Sequence, residues 1–242
     1  FLENSQISVL NRDRTLANPT PEFVKLLEYG KRLYLRSDTH FNLLTGHILE
    51  SKGYDADYTF TDSGSIETPG NPITDLTITP ELIELKHGNI DLGGFGKGYL
   101  IDLIASELKQ TLNIEQFLIN GGGDMYATHN KGEAITIFLE HPTKPGTGIG
   151  KITLQNQGFA ASSPHKRVWK NETGDHTHII SDRLTSDATF IKATSAADAD
   201  AFATTALQLN QQDLERLAKS EQLGVALFDI KSEKLVANPS FG

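Results

Sequence analysis

Apolar residues recur along this chain at two spacings. At the helical period, Phe23, Leu26, Leu27, Leu33 and Tyr34 trace one stripe through Gly30, after Thr20 and Pro21, which suit an N-cap and a first turn. Leu100, Leu103, Ile104, Leu108 and Leu112 trace a second stripe and predict a helix over 98–112. Residues 197–209 predict a helix rich in Ala and Thr, capped near Ser195, and Leu214 with Leu217 mark another after Gln211. Residues 1–11 fit a short capped helical turn. Short apolar runs at 82–85, 117–119, 134–139, 150–154, 158–162 and 177–180 read as strands, and 223–230 with 234–237 as a closing hairpin. The turn region 142–148 divides two of these, which suggests a meander. The polar stretches 169–175 and 54–72 read as loops, the second as a surface excursion and the most mobile segment.

Composition narrows the function. The 242 residues read as a single domain over 1–242, with no linker and no internal repeat. A net charge of -9 without a Lys/Arg cluster argues against nucleic acid as a partner. No apolar run reaches the roughly 18 residues of a membrane span. The absence of cysteine removes disulfides, thiolate catalysis and Cys-ligated zinc. A start at Phe1 rather than Met reads as a processed or trimmed N-terminus.

The richest stretch runs from Ile90 to Asp102, where four glycines and a lysine lie between an apolar strand and a helix. Glycine backbone at a helix start lets an anion approach the N–H groups, although a tight strand-to-helix turn needs the same residues. Two phosphate-loop patterns fail here: GxxxxGK[ST] requires Gly at Asp91 and a hydroxyl at Gly98, and GxGxxG requires Gly at Tyr99. Asp200 and Thr204, four residues apart, share a helical face and offer two hard oxygens to Mg²⁺; the same pair fits a plain helix in which Asp complements the dipole and Thr bonds a carbonyl one turn back. Asp198 competes as the acid. His176 and His178 alternate on a strand, a weak zinc pattern and a better source of one general base. The other six histidines read as surface residues. Ser162, Ser163 and Ser186 lack a nucleophile elbow. The Asn120 to Asp124 turn fits either a phosphate or ribose contact or a simple hairpin turn.

Four of these segments resemble, in order, one family. Asp91-Leu-Gly-Gly-Phe-Gly-Lys-Gly-Tyr-Leu-Ile-Asp102 is similar to the Asp-(Leu/Phe)-Gly-Gly-(Ile/Val)-Ala-Lys-Gly-Tyr-x-x-Asp of the FAD:protein FMN transferases, the ApbE-like flavin transferases. Ile119 to Asp124 resembles their Asn-(Ala/Gly)-Gly-Gly-Asp turn, His178-Ile-Ile180 the start of His-Ile-Ile-Asp-Pro-x-Thr-Gly, and Ala199 to Thr204 the Ala-Asp-Ala-x-(Ala/Ser)-Thr helix. Residues 37–46 resemble the Ser-Gly-Gly-Ala-Phe-Asp loop. The resemblance implies an α+β, T-fold-like architecture with an antiparallel sheet core flanked by helices. It further implies Mg²⁺-dependent transfer of FMN from FAD to a Thr or Ser hydroxyl of an acceptor protein, releasing AMP. By the same resemblance Asp200, Thr204 and an oxygen near Gly94 bind Mg²⁺, and Asp91 and Lys97 contact FAD. His40, Phe41 and Asn42 line the flavin pocket with Ile180 beside it, and His178 assists deprotonation of the acceptor hydroxyl. The family implies a periplasmic or envelope location and possible membrane association through an N-terminal anchor preceding Phe1. Departures are Asn42 in place of Asp, Ser181 to Thr185 in place of Asp-Pro-x-Thr-Gly, and an opening strand missing before Phe1. Those departures leave two alternatives, an FAD pyrophosphatase with water as acceptor and an FAD-binding protein with a decayed transferase site.

Overall fold

The computed structural model describes residues 2–55, 59–65, 67–129, 133–165 and 184–242, together with the backbone of 168–171 and 174–177. From the N-terminus come α1 (Gln6–Asp13), β1 (Thr15–Ala17), α2 (Pro21–Arg36), α3 (Gly46–Ser51), β2 (Leu76–Ile78), β3 (Leu82–Leu85) and α4 (Gly96–Gln110). Strands then dominate: β4 (Phe117–Asn120), β5 (Met125–Thr128), β6 (Ile135–Glu140), β7 (Gly148–Leu154), β8 (Gln157–Ser162), β9 (Val168–Asn171), β10 (Gly174–Thr177) and β11 (Ala188–Ala193). The chain ends with α5 (Ala196–Ala206), α6 (Gln211–Ser220), β12 (Gly224–Asp229) and β13 (Lys234–Ala237). Caps explain several starts. Ser5, Thr20, Ser195 and Asn210 each accept, through a side-chain oxygen, the N–H three residues on, which satisfies an otherwise orphaned helical donor.

The chain divides into two compact units, one of Phe1–Leu92 with Arg167–Ile180, the other of Gly93–Lys166 with Ser181–Gly242. The first holds a three-stranded antiparallel sheet in the order β1-β3-β2, helices α1 to α3, and the β9–β10 hairpin. Its core draws on Phe23, Leu27 and Leu33 of α2, as the helical stripe requires.

The second unit is built on a six-stranded antiparallel sheet in the order β13-β12-β11-β8-β5-β4. Side chains alternate between its faces. Thr189 of β11 donates its hydroxyl to Ala203 O of α5 at 2.5 Å, so one face looks toward the helices. Ala188 and Phe190 join Phe159, Phe228 and Phe241 in the core on the other face, which the β6–β7 hairpin covers with Leu139, Ile152 and Leu154. The α+β expectation of an antiparallel sheet flanked by helices therefore matches the fold.

Several local expectations change. The helix over 98–112 forms as α4, but it buries Gly98, Ile101 and Ala105, whereas Leu100, Leu103, Ile104 and Leu112 are exposed. Its neighbour α5 approaches too closely for leucine, so small residues face it. Residues 134–162 do not form a meander: among the described residues β7 pairs with β6 alone, and β8 lies between β5 and β11. The 117–119 strand is a half-exposed sheet edge rather than a buried strand. The polar 169–175 stretch, read as a loop, carries most of a hairpin, and the 177–180 strand reaches only Thr177 within the described residues. His129 and His141 are buried, not on the surface. Among the described residues no helix is long and apolar enough to cross a membrane.

Candidate functional site

In the second unit, the site begins with two glycines that let helix α5 start where no side chain would fit. A Cβ on Gly98 would lie 2.3 Å from Ala196 O, and one on Gly158 would lie 2.3 Å from Ser195 O. Such contacts are sterically impossible without backbone movement, so α4 and β8 hold the first turn of α5 between them. Asp102 of α4 completes the clamp, its two carboxylate oxygens accepting the N–H groups of Ala196 and Ala197 at 2.8 Å each. Burial pushes the Asp102 carboxyl up, against the two backbone bonds that favour its charged form.

With α5 fixed there, Asp200, one turn from the cap, faces the start of α4. Lys97 Nζ lies 3.2 Å from each Asp200 oxygen and 3.1 Å from Gly93 O, and the Gly98 N–H donates to Asp200 Oδ2 at 3.1 Å. A second carboxylate arrives from the turn between β4 and β5. Gly122 and Gly123 take left-handed φ of 84° and 109°, while the Gly121 N–H donates to Asp124 O and the Gly123 N–H to Asn120 Oδ1. This turn sets Asp124 Oδ2 3.2 Å from Lys97 Nζ. Asp124 and Asp200 are both buried, whereas the Lys97 side chain remains 40% exposed. Burial alone would push the Lys97 ammonium down. The Asp200 and Asp124 carboxylates outweigh that effect and hold it above the ordinary lysine range.

The glycine stretch therefore acts differently from an open anion loop. Gly98 serves helix contact, and its N–H is taken by Asp200. Gly94 lies in the turn just before α4. Thr204, one helical turn beyond Asp200, points its hydroxyl toward β8, with Oγ1 3.4 Å from Ser162 Oγ. The back-bond to a carbonyl one turn earlier is made by its neighbour, Thr205 to Ala201 O at 2.9 Å. Around Lys97 the acceptors are carboxylate and carbonyl oxygens, with hydroxyls further along α5. Such hard oxygens suit Mg²⁺, which takes one or two carboxylates and keeps several waters. Among the described residues no group of three or more His, Cys, Asp or Glu is arranged to hold a metal.

The remaining candidate residues fall elsewhere. In the first unit, the Asn11 side chain bonds both backbone groups of Ile90, at 2.9 and 2.8 Å, and the Asp91 N–H donates to Leu43 O at 2.8 Å, which brings Asp91 beside the 37–46 loop. In that loop His40 is exposed and Phe41 is buried. Asn42 donates to Gly70 O and accepts from the Leu44 N–H, each at 2.8 Å, so its amide holds the loop in shape. Asp38 and Thr39 adopt left-handed φ of 53° and 69° at the positions where the resembled loop has two glycines. His178 and Ile180 lie outside the described residues, and so does the Ser181 to Arg183 part of the altered segment. Asp102 and Gly158 were not singled out from the sequence as site residues, and Asp124 entered only as the end of a turn that fits either a phosphate or ribose contact or a hairpin. The signal for Asp124 was its place after three glycines, whereas Asp102 and Gly158 carry no local mark of their partners.

The antiparallel α+β fold that carries this site is shared with solved structures. The fold superposes on the ApbE protein of Thermotoga maritima with a TM-score of 0.80, covering 98% of this chain and 82% of that one at 17% identity. Residues 1–228 match the ApbE family, and the chain belongs to it. Proteins named FAD:protein FMN transferase are similar in sequence. That of Rhodobacter capsulatus is 26% identical over 223 residues, 85% of this chain and 41% of its own length, and that of Klebsiella pneumoniae (strain 342) is 27% identical over 168 residues, 66% of this chain and 51% of its own. The chain thus spans about half the length of the curated relatives it matches.

Proposed function

We propose that this chain moves the FMN half of FAD onto a Ser or Thr hydroxyl of an acceptor protein and releases AMP, with Mg²⁺ held by Asp200, Thr204 and a carbonyl near Gly94. The observation that carries this reading is the meeting of Lys97 with Asp200, two segments 103 residues apart in sequence that each contain a motif resembling the transferases. In the reaction the acceptor oxygen bonds to the phosphorus on the riboflavin side of FAD. The anhydride P–O bond breaks, its electron pair leaves with AMP, and the hydroxyl proton passes to a base, for which His178 is our choice. Lys97, fixed by carboxylates on one side and partly exposed on the other, presents positive charge where a pyrophosphate can reach it. Bound Mg²⁺ would supply further charge against the leaving phosphate. His40, Phe41, Asn42 and Asp91 are proposed FAD contacts of the first unit, and Ile180 is proposed beside the flavin.

The test is in-gel flavin fluorescence of a denatured acceptor carrying Asp-Gly-x-(Ser/Thr)-Gly-(Ala/Ser)-Thr, after incubation with FAD and Mg²⁺. Labelling that disappears in Asp200→Ala and with chelator is expected. AMP release without any acceptor labelling would replace the reading with FAD hydrolysis, and tight FAD binding without turnover would replace it with a binding protein. An envelope or periplasmic location, with possible membrane association, is part of the same proposal and is checked by cell fractionation of the full-length protein.

A further inference from the structure

At the far end of β11 from the Thr204–Ser162 pair, the second unit opens a cleft of about 430 Å³ lined by Lys192, Lys219, Gln157, Thr194, Gln222 and Ser240 among others. Lys192 is 8% exposed as a residue, and its side chain makes no hydrogen bond or ion pair with any described residue. Its ammonium is not sealed from solvent and opens onto the cleft, where no group of the described chain answers its charge. Burial pushes Lys192 below the ordinary lysine range with no carboxylate opposing the shift, and no acid lines the cleft. This absence stands out in a chain with a net charge of -9.

The chain packs closely against the backbone beside Lys192. Its strand partner on β12 is Gly224, where a Cβ would meet Ser240 O at 2.8 Å and Lys192 Cβ at 3.1 Å. The negative end of α6 is quenched, since the Glu221 N–H donates to Leu217 O at 2.9 Å and the Leu223 N–H to Ala218 O at 2.8 Å. The cleft is separate from the Lys97 cluster. Lys192 stands three residues from Thr189, so it lies about 10 Å along the strand and on the opposite face.

We propose that this cleft binds a small organic phosphate, with Lys192 and the more exposed Lys219 as its two charges. Two lysines match a phosphate dianion as point charges, and Gln157, Thr194, Gln222 and Ser240 bring neutral side-chain donors. The volume exceeds what inorganic phosphate fills and lies within the range of small-ligand sites. This inference does not depend on flavin transfer.

The experiment is calorimetry at low salt on the whole chain, without FAD, using glycerol 2-phosphate, inorganic phosphate, acetate and glycerol as probes. Glycerol 2-phosphate is expected to bind with a dissociation constant below about 1 mM, more tightly than inorganic phosphate, with acetate weaker still and glycerol silent. Lys192→Met should weaken glycerol 2-phosphate at least about tenfold and Lys219→Gln about threefold, because Lys192 is the more desolvated of the two and Lys219 is exposed and screened. Both variants should label the acceptor as the parent does. Absence of phosphate binding at about 10 mM, equal affinity in Lys192→Met, or equal binding of acetate would overturn the proposal. An unchanged unfolding transition in Lys192→Met is expected and verifies that the variant keeps its fold.

Discussion

Lys97 and Lys192 belong to the same unit, each with its charge drawn out of bulk water, and their surroundings are opposite. Lys97 keeps 40% of its side chain exposed yet touches two buried carboxylates and a carbonyl, and its ammonium is held above the ordinary range. Lys192 is the less exposed residue of the two, but its ammonium opens onto the cleft with no such partner, and desolvation pushes it down. Burial taxes both lysines, so the difference must come from what burial supplies in return. Lys97 is balanced by groups encoded in the chain, which suits a residue that must be in place before substrate arrives. The charge of Lys192 is left for a ligand to balance.

The largest expected effect comes from breaking the geometry that gives Lys97 its partners. Gly98→Ala puts a methyl into the backbone of Ala196 and forces α5 away from α4, carrying Asp200 with it. A loss of about 3 kcal/mol is expected, as for severe overpacking, along with loss of flavin transfer. Urea unfolding and acceptor labelling check this. Gly158→Ala should act alike from the other side of the same turn, whereas Gly122→Ala, whose Cβ would meet nothing, should cost only the strain of its left-handed φ.

Next in size is Lys97→Met, which strands two buried acids. Removing one partner of a fully buried pair costs about 3–5 kcal/mol, and the partial exposure of Lys97 reduces this to about 1–2 kcal/mol. The pH dependence carries a sign. A group whose folded pKa is raised gives stability that is complete below its unfolded value, near 10.4, and lost as pH climbs through the folded value. The gap between parent and Lys97→Met should therefore hold from neutrality to about pH 10 and close only above it. A gap that closes by pH 9 would show that the carboxylates do not hold the charge.

These expectations also mark what could be read before the structure. Helices α2 and α5 were legible because cap, periodicity and breaker agree over one stretch, as at Thr20, Pro21, Phe23 and Leu27. The meeting of Lys97 with Asp200 was legible only through resemblance, since no local property of either segment names the other. Strand β11 was missed because Thr189 and Lys192 interrupt its apolar run, although all six of its residues are buried between β8 and β12. The buried face of α4 was misread because the leucine stripe outweighed Gly98, Ile101 and Ala105, and only a close helix neighbour makes small residues the inner face. Asp124 was read as part of a turn, because its partner comes from a helix that the turn does not reveal.

The smallest effect sharpens the comparison most, because it reverses the sign. Lys192→Met removes a partly desolvated charge that no described side chain answers, so without ligand the variant should equal the parent or exceed it by about 0.5 kcal/mol at neutral pH. Because the folded pKa of Lys192 is lowered, the native state releases that proton before the unfolded chain does. Parent stability from this group then rises with pH between the folded value and about 10.4. The difference between Lys192→Met and parent should shrink across that window, below the pH at which the Lys97 gap begins to close. Saturating glycerol 2-phosphate should stabilise the parent and leave Lys192→Met unmoved. If both lysine gaps closed at the same pH, the two sites would not differ in the way their partners imply.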